Sequence, residues 1–313
     1  MALTIDIYTK LLVFFCIFTL GAIGGMFSEK VGIVNIGING MMVIGAATYL
    51  VFTDIIAKST GTQEQSGWWQ IPATLFASLC AAAFALLHGF ATIKLKSDHT
   101  ISGFAINLLA FGVAIILLDF FGNGNKKPIM GVIELKYAIE TSTQSVEIIS
   151  WKIVITILIV ALGAFALYKT KWGLRYRSIG ENPQAADVAG INVYKYKWEG
   201  VIISGAIAGV AGAIFAQAFP ASFQGDVRGY GYLALSIMIM GQWNIFIITG
   251  VSFVFSFLYA LSFSSGAFIT ELVPYSPLLQ MTPYVLSVIV IMIMSKRSRA
   301  PEANGITYDK SVR

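Results

Sequence analysis

Charged residues make up only 12% of this 313-residue chain, and hydrophobic residues make up 57%. An ordinary soluble domain carries roughly 25% and 45–50%, so a water-soluble fold is excluded, in keeping with the mean hydropathy of +0.76. Cysteine is nearly absent: Cys16 and Cys80 both fall in apolar runs, which gives no sign of a disulfide framework and leaves packing as their reading. The two histidines lack the spacing of a metal site, His88 standing alone in an apolar run and His99 in the short connection KSDHT. There is no G-x-x-x-x-G-K-[ST], so the backbone cradle and lysine that hold ATP phosphates are missing; GNGNKK at 122–127 has the wrong spacing and reads as a turn. The apolar runs also lack internal carboxylates, since Asp119 and Glu271 fall near run ends. An ion-coupled transporter needs such groups, and a membrane enzyme needs clustered histidines, carboxylates or a nucleophile at one depth.

What fills the chain is apolar sequence of membrane-crossing length. A hydrocarbon layer about 30 Å thick takes roughly 20 apolar residues per helical crossing. Nine runs qualify: 11–27, 31–52, 71–93, 101–121, 151–168, 200–219, 230–247, 248–268 and 278–294. The expectation is an all-α integral membrane protein of about nine transmembrane helices. The neighbourhood of 241–244 is where the count shifts to eight or ten. Residues 1–295 form one polytopic domain, and 296–313 a polar tail.

Basic residues orient it. With the amino terminus outside, fourteen of the 21 lysines and arginines lie inside: Lys30, Lys94, Lys96, Lys169, Lys171, Arg175, Arg177, Lys195, Lys197, Lys296, Arg297, Arg299, Lys310 and Arg313. The positive-inside rule therefore puts the carboxyl terminus in the cytoplasm, with Trp68, Trp69 and Trp151 at the outer edges. The net charge of +5 reflects topology and gives no reason to invoke nucleic acid.

Two connections are large. The outer one, 122–150, is mixed and polar, suited to shielding a pore mouth or to receiving a partner. The inner one, 169–197, carries helix punctuation: Asn182 suits an N-cap, Pro183 the first turn and Gly190 a left-handed stop, leaving a short helix over 183–189. It is either a capped connector or a lever displayed on the cytoplasmic face, with Arg175, Arg177 and Glu181 beside it as ion-pair partners.

Polar residues inside the apolar runs mark candidate contacts. In VNIGINGMMVIGA, 34–46, Asn35 and Asn39 share a face of a continuous helix, which Gly37 and Gly40 weaken locally. An unpaired amide in hydrocarbon is costly, so both face protein or a wet cavity. They either bond between helices or line a path through a broken helix. In ISGFAINLLAFG, 101–112, Asn107 lies on one face with Phe104 and Phe111. An amide between two rings suits a base and its ribose; phenylalanines at helical spacing also serve packing. Gln217 and Gln242 are further amides, for the path or for interhelical pairing. Gly205 and Gly209 in GAIAGVAG, 205–212, are a close-packing pattern.

Those two motifs and GLRYRSIGENPQAADVAGI, 173–191, in that order, resemble permease subunits of bacterial ABC importers, in the family serving branched-chain amino acids, simple sugars and nucleosides. The resemblance spans roughly 21–295, and NIG followed by glycine and methionine is most similar to nucleoside-uptake permeases. It implies a multi-pass chain of the bacterial cytoplasmic membrane that is not itself an enzyme and holds no cofactor. A second, homologous permease completes the pore. Cytoplasmic ABC ATPase subunits bind ATP and Mg, and an extracellular substrate-binding lipoprotein delivers the substrate. The resemblance makes 182–190 the coupling element, with Ala186 and Ala189 on its helix, and favours a pore-lining role for the amides. A simple sugar or a branched-chain amino acid is the alternative cargo.

Overall fold

The computed structural model describes residues 2–60, 66–121, 134–141, 144–268, 274–294 and 299–310. The GNGNKK turn, Glu271, Lys296, Arg297 and Arg313 lie outside them. The helices are α1 (Ala2–Glu29), α2 (Ile38–Thr60), α3 (Gln70–Gly89), α4 (His99–Phe121), α5 (Trp151–Lys169), α6 (Lys171–Glu181), α7 (Pro183–Val188), α8 (Val193–Ala218), α9 (Tyr230–Met240), α10 (Ile245–Phe268), α11 (Ser276–Gln280) and α12 (Thr282–Met294). Between α4 and α5, β1 (Lys136–Thr141) and β2 (Gln144–Ser150) form an antiparallel hairpin, the one departure from the all-α expectation among the described residues.

Seven helices among the described residues are long and apolar enough to cross a membrane: α1, α2, α3 with its π-helical turn Phe90–Lys94, α4, α5, α8 and α10. Two of the nine expected crossings are shorter, α9 and Leu278–Ile293. The second expected crossing begins late as well. Residues 31–37 are not helical, and α2 starts at Ile38. Hydropathy registers an apolar run whether its backbone bonds lie within a helix or are met by neighbouring side chains, so it overcounted helix in both places.

The connection over 169–197 is more ordered than its composition announces. Thr170 caps α6 by accepting from the Gly173 N–H, Asn182 caps α7 by accepting from Ala185, and Asn192 caps α8 by accepting from Lys195. Gly190 at φ +80° ends α7 as expected. Helix α6 and the early start of α8 were not expected; three successive side-chain caps make them possible.

Helix α8 is the central post, buried along most of its length against α1, α2 and α3. Its glycines bring backbones into contact. A Cβ at Gly212 would lie 1.9 Å from the Met42 carbonyl oxygen, and one at Gly209 2.6 Å from Ala81 Cβ. An aromatic cluster closes one end of the post: Phe14 of α1 packs on Tyr259 of α10 at 4.6 Å between centroids, and Phe215 of α8 meets Tyr230 of α9 edge-on at 5.5 Å. Tyr230, the first residue of α9, is thus fixed by three other helices.

Gly212→Val should therefore cost more than about 3 kcal/mol and abolish a monodisperse detergent-purified chain. Gly112→Ala, where nothing lies within 4 Å of the added Cβ, should raise thermal stability slightly, because glycine in a helix interior costs roughly 1 kcal/mol relative to alanine. Melting of purified variants by intrinsic fluorescence checks both.

Candidate substrate path at two helix breaks

Among the described residues, irregular backbone leads into two helices, α2 and α9, in opposite halves of the chain. After α1 ends at Glu29, residues 31–37 run without helical bonds before α2 begins. After α8 ends at Ala218, residues 219–229 return irregularly, with Gly225 at φ +91° and Arg228 at φ +54°, before α9 begins. Helix α9 has 11 residues, roughly 17 Å at 1.5 Å each, about half of a hydrocarbon layer. It ends beside Trp243, whose indole meets Glu29 at the end of α1. The first turns of α2 and α9 therefore meet about midway through the bundle.

Each first turn is capped by an asparagine from another element. Asn107 Oδ1 of α4 accepts the Gly40 N–H of α2 at 2.7 Å, and Asn39 Oδ1 of α2 accepts the Gly231 N–H of α9 at 3.1 Å. These N–H groups are among the four that any helix start leaves without an internal partner. The remaining amide donors extend the network: Asn107 Nδ2 donates to the Ile36 carbonyl and the Tyr232 hydroxyl, each at 3.0 Å, and Asn39 Nδ2 donates to Asp226 Oδ1 at 3.1 Å. The Asp226 carboxylate thus sits against the positive end of the α2 dipole.

Within the first break, histidines satisfy the backbone of Val34. His99 Nδ1 accepts the Val34 N–H at 3.3 Å; His88 Nε2 bonds the Val34 carbonyl at 3.1 Å and its Nδ1 bonds Ser102 at 2.9 Å. His99 is buried in the first turn of α4, where a short connection had been expected. The reason is the backbone at Val34, which needs a buried partner.

The other expected residues divide. Asn35 precedes α2, so it does not share a helix face with Asn39. It is fully buried and donates to Ser204 Oγ of α8 at 2.9 Å. Phe104 and Phe111 stand exposed on the Asn107 face of α4, with Phe111 near Gly225 of the second break. Gln217 is elsewhere: it accepts from Gln70, whose own carbonyl takes the Leu135 N–H beside the hairpin. Gln242 lies at the opposite end, in the turn after α9, where it accepts the Arg299 N–H at 2.7 Å. Asp226 and Tyr232, the latter 40% exposed, were missed. Their signal was GDVRGYGY, a polar and glycine-rich stretch, followed by only a short apolar run before GQWN.

At the end where α1 and α9 finish, Val188 at the end of α7 and the following Ala189 and Gly190 are exposed, Val188 at 77%. Pro183 and Ala186 face inward, and Ala186 is buried. Arg175, Glu181 and Asn182 are exposed, whereas Arg177 lies over the Tyr168 ring at 5.5 Å. Burial holds Lys30 below the usual lysine range, with Glu181 opposing the shift and Arg177 adding to it.

Asn39→Ala and Asn107→Ala each leave a buried N–H without an acceptor, a loss of about 1–3 kcal/mol. Because both caps serve one junction, the double variant should lose less than the sum of the singles. A double-mutant cycle on thermal melting measures the shortfall, and strict additivity would show the two caps to be independent.

A family profile described as "Branched-chain amino acid transport system / permease component" matches residues 7–295. The chain is 39% identical over 302 residues to a nucleoside ABC transporter permease of Lactococcus lactis subsp. cremoris, covering 93% of this chain and 92% of the relative. It is 33% identical over 308 residues to a guanosine ABC transporter permease of Bacillus subtilis, covering 94% and 93%. It is 31% identical over 273 residues to a putative glucose ABC transporter permease of Haloferax volcanii, covering 83% and 77%. No solved structure gives a significant match. These similarities make the chain a member of the permease family of branched-chain amino acid transport systems.

Proposed function

We propose that this chain is the membrane-spanning subunit of an ATP-driven importer of nucleosides. The observation that carries the cargo is the face beside the two breaks. Phe104, Phe111 and the Tyr232 ring stand exposed there, with the Asn107 amide, the Tyr232 hydroxyl and Asp226 at its inner edge. Rings stack a base, and the hydroxyl and carboxylate bond ribose hydroxyls. Asn39 and Asn107 act mainly by holding the helix starts that frame the face, since their carbonyl oxygens are committed to backbone N–H groups. The similarity to permeases named for nucleosides and guanosine supports the same cargo.

The working complex would place the exposed α4 face toward a second, homologous permease, so that the path runs between the two chains. The α7 end faces the cytoplasm in this reading, as the distribution of basic residues favours. There α7 docks in a cytoplasmic ATPase subunit that binds ATP and Mg. The hairpin end faces outward, where an extracellular lipoprotein delivers substrate. ATP-driven closure of the ATPases moves α6 and α7 and so tilts the helices on either side, giving alternating access.

Proteoliposomes holding this chain, its copurified partners, internal ATP and the binding protein should accumulate uridine or adenosine, competed by other nucleosides and not by ribose. Uptake of ribose or leucine instead would move the cargo to a sister group of the family. Tyr232→Ala should raise KM for the nucleoside about tenfold or more, given roughly 1–3 kcal/mol per stacked base, while Tyr232→Phe retains the stacking share.

The docking surface is tested separately. Ala189→Arg should abolish ATPase copurification and ATP-driven uptake at unchanged melting temperature, because Ala189 is exposed. Ala186→Asp is not a clean probe, since it also places a carboxylate in a buried site. Intact uptake in Ala189→Arg would remove α7 from the coupling path.

A further inference from the structure

The tail reads in sequence as a polar extension, yet residues 299–310 lie bound across the α7 end of the bundle. The Arg299 N–H donates to Gln242 at 2.7 Å, the Ala303 N–H to the Gly180 carbonyl at 2.8 Å, and the Gly305 N–H to the Gly32 carbonyl at 3.3 Å. Further along, Tyr308 packs on Tyr194 at 5.3 Å, Asp309 pairs with Lys96 at 2.5 Å and Lys310 lies 3.8 Å from Asp187 of α7. Pro301, Ala303 and Tyr308 are buried. One short segment thus touches the end of α9, the end of α6, the start of the first break, and α7.

Glu29 is the centre of this arrangement. It is 5% exposed, and among the described residues no lysine or arginine pairs with it. One of its oxygens accepts both the Trp243 indole N–H at 2.7 Å and the Asn304 amide at 2.9 Å, and the Asn35 backbone N–H approaches the carboxylate as well. A buried carboxylate must be matched by donors. Here they come from the turn after α9, from the tail and from the first break, so the group is satisfied only while all three are in register. The link to α6 is equally close: a Cβ at Gly180 would lie 2.3 Å from the Lys30 carbonyl oxygen and 3.2 Å from Pro301.

We propose that residues 299–310 form a strap that carries displacement of α6 and α7 to both helix breaks, with Glu29 as the positioning residue that locks strap, turn and break together. The proposal rests on the reading of α7 as the ATPase-docking helix. Motion of α6 reaches the strap through Gly180 and that of α7 through Asp187, and the strap passes it to Gly32 and Gln242. Those positions open the first break and close α9, whose far ends meet at Asn39.

The test measures ATP hydrolysis and uridine uptake together in proteoliposomes of the full complex. Glu29→Leu and Asn304→Leu should keep the ATPase subunits bound and hydrolysing while uptake per ATP falls about tenfold or more, within the usual range of coupling between sites. Glu29→Gln, whose carbonyl oxygen can accept the Trp243 and Asn304 bonds, should restore coupling. Unchanged uptake per ATP in Asn304→Leu and in a chain ending at residue 298 overturns the strap. So does loss of ATPase binding in those variants, which would make the segment a docking surface instead. Should Glu29→Leu fail to insert, Asn304→Leu and the shortened chain still decide. Ala189→Arg keeps the two readings apart: normal ATPase binding in that variant defeats the α7 assignment, whatever the strap variants do.

Discussion

A backbone N–H or C=O in hydrocarbon has no water to turn to, and leaving one unpaired costs several kcal/mol. A chain that starts two of its helices from irregular backbone inside the bundle must therefore supply partners for the groups it releases. Local turns meet some of them, and side chains of other helices meet others: His88, His99 and Asn107 for residues 34–40, and Asn39 for the start of α9. The two caps also run in series, because Asn39 belongs to the helix that Asn107 caps. Everything proposed about the path depends on this junction, since it fixes where the irregular backbone can exist.

The junction needs a rigid frame, and α8 is that frame. Its glycine face lets α2 and α3 approach to backbone contact, and this close approach is how helices associate where lipid removes the hydrophobic drive. The same helix supplies Ser204 to Asn35 and Phe215 to Tyr230. One element thus steadies both breaks, one on each half of its length. By contrast α4 leaves a wide apolar face exposed around Phe104 and Leu108, as expected of a surface that meets lipid or another chain.

At the α7 end the fold becomes polar and its logic changes from packing to capping. Side chains of Thr170, Asn182 and Asn192 start three successive helices, and Tyr176 anchors α6 by donating to the Phe27 carbonyl. Burial pushes that phenol well above its usual range, so it stays a donor at any physiological pH. The loop is consequently a folded part of the molecule, joined to α1 on one side and to the strap on the other. A displacement applied at α7 meets stiff connections there.

Much of this was legible in the residues. Composition gave the membrane setting, and the Asn182, Pro183 and Gly190 punctuation gave α7, because a cap is a local event set by neighbours a few residues apart. Asn39 and Asn107 stood out as amides that hydrocarbon would not tolerate unpaired. What they pair with was not legible, since Gly231 and Gly40 reach them across 192 and 67 residues. The helix breaks were half visible: glycine and asparagine weakened 34–40, but hydropathy scores an apolar stretch alike whether or not it is helical. Gln217 and Gln242 looked like companions of these asparagines and lie at opposite ends, because depth along the bundle is set by where each helix starts. Sequence by itself determined the solvent, the helical class and the short capped helix, all governed by local composition and spacing. Only the tertiary structure decided which polar groups meet, where the crossings break and that the tail is bound, since those depend on long-range partners for buried backbone and charge.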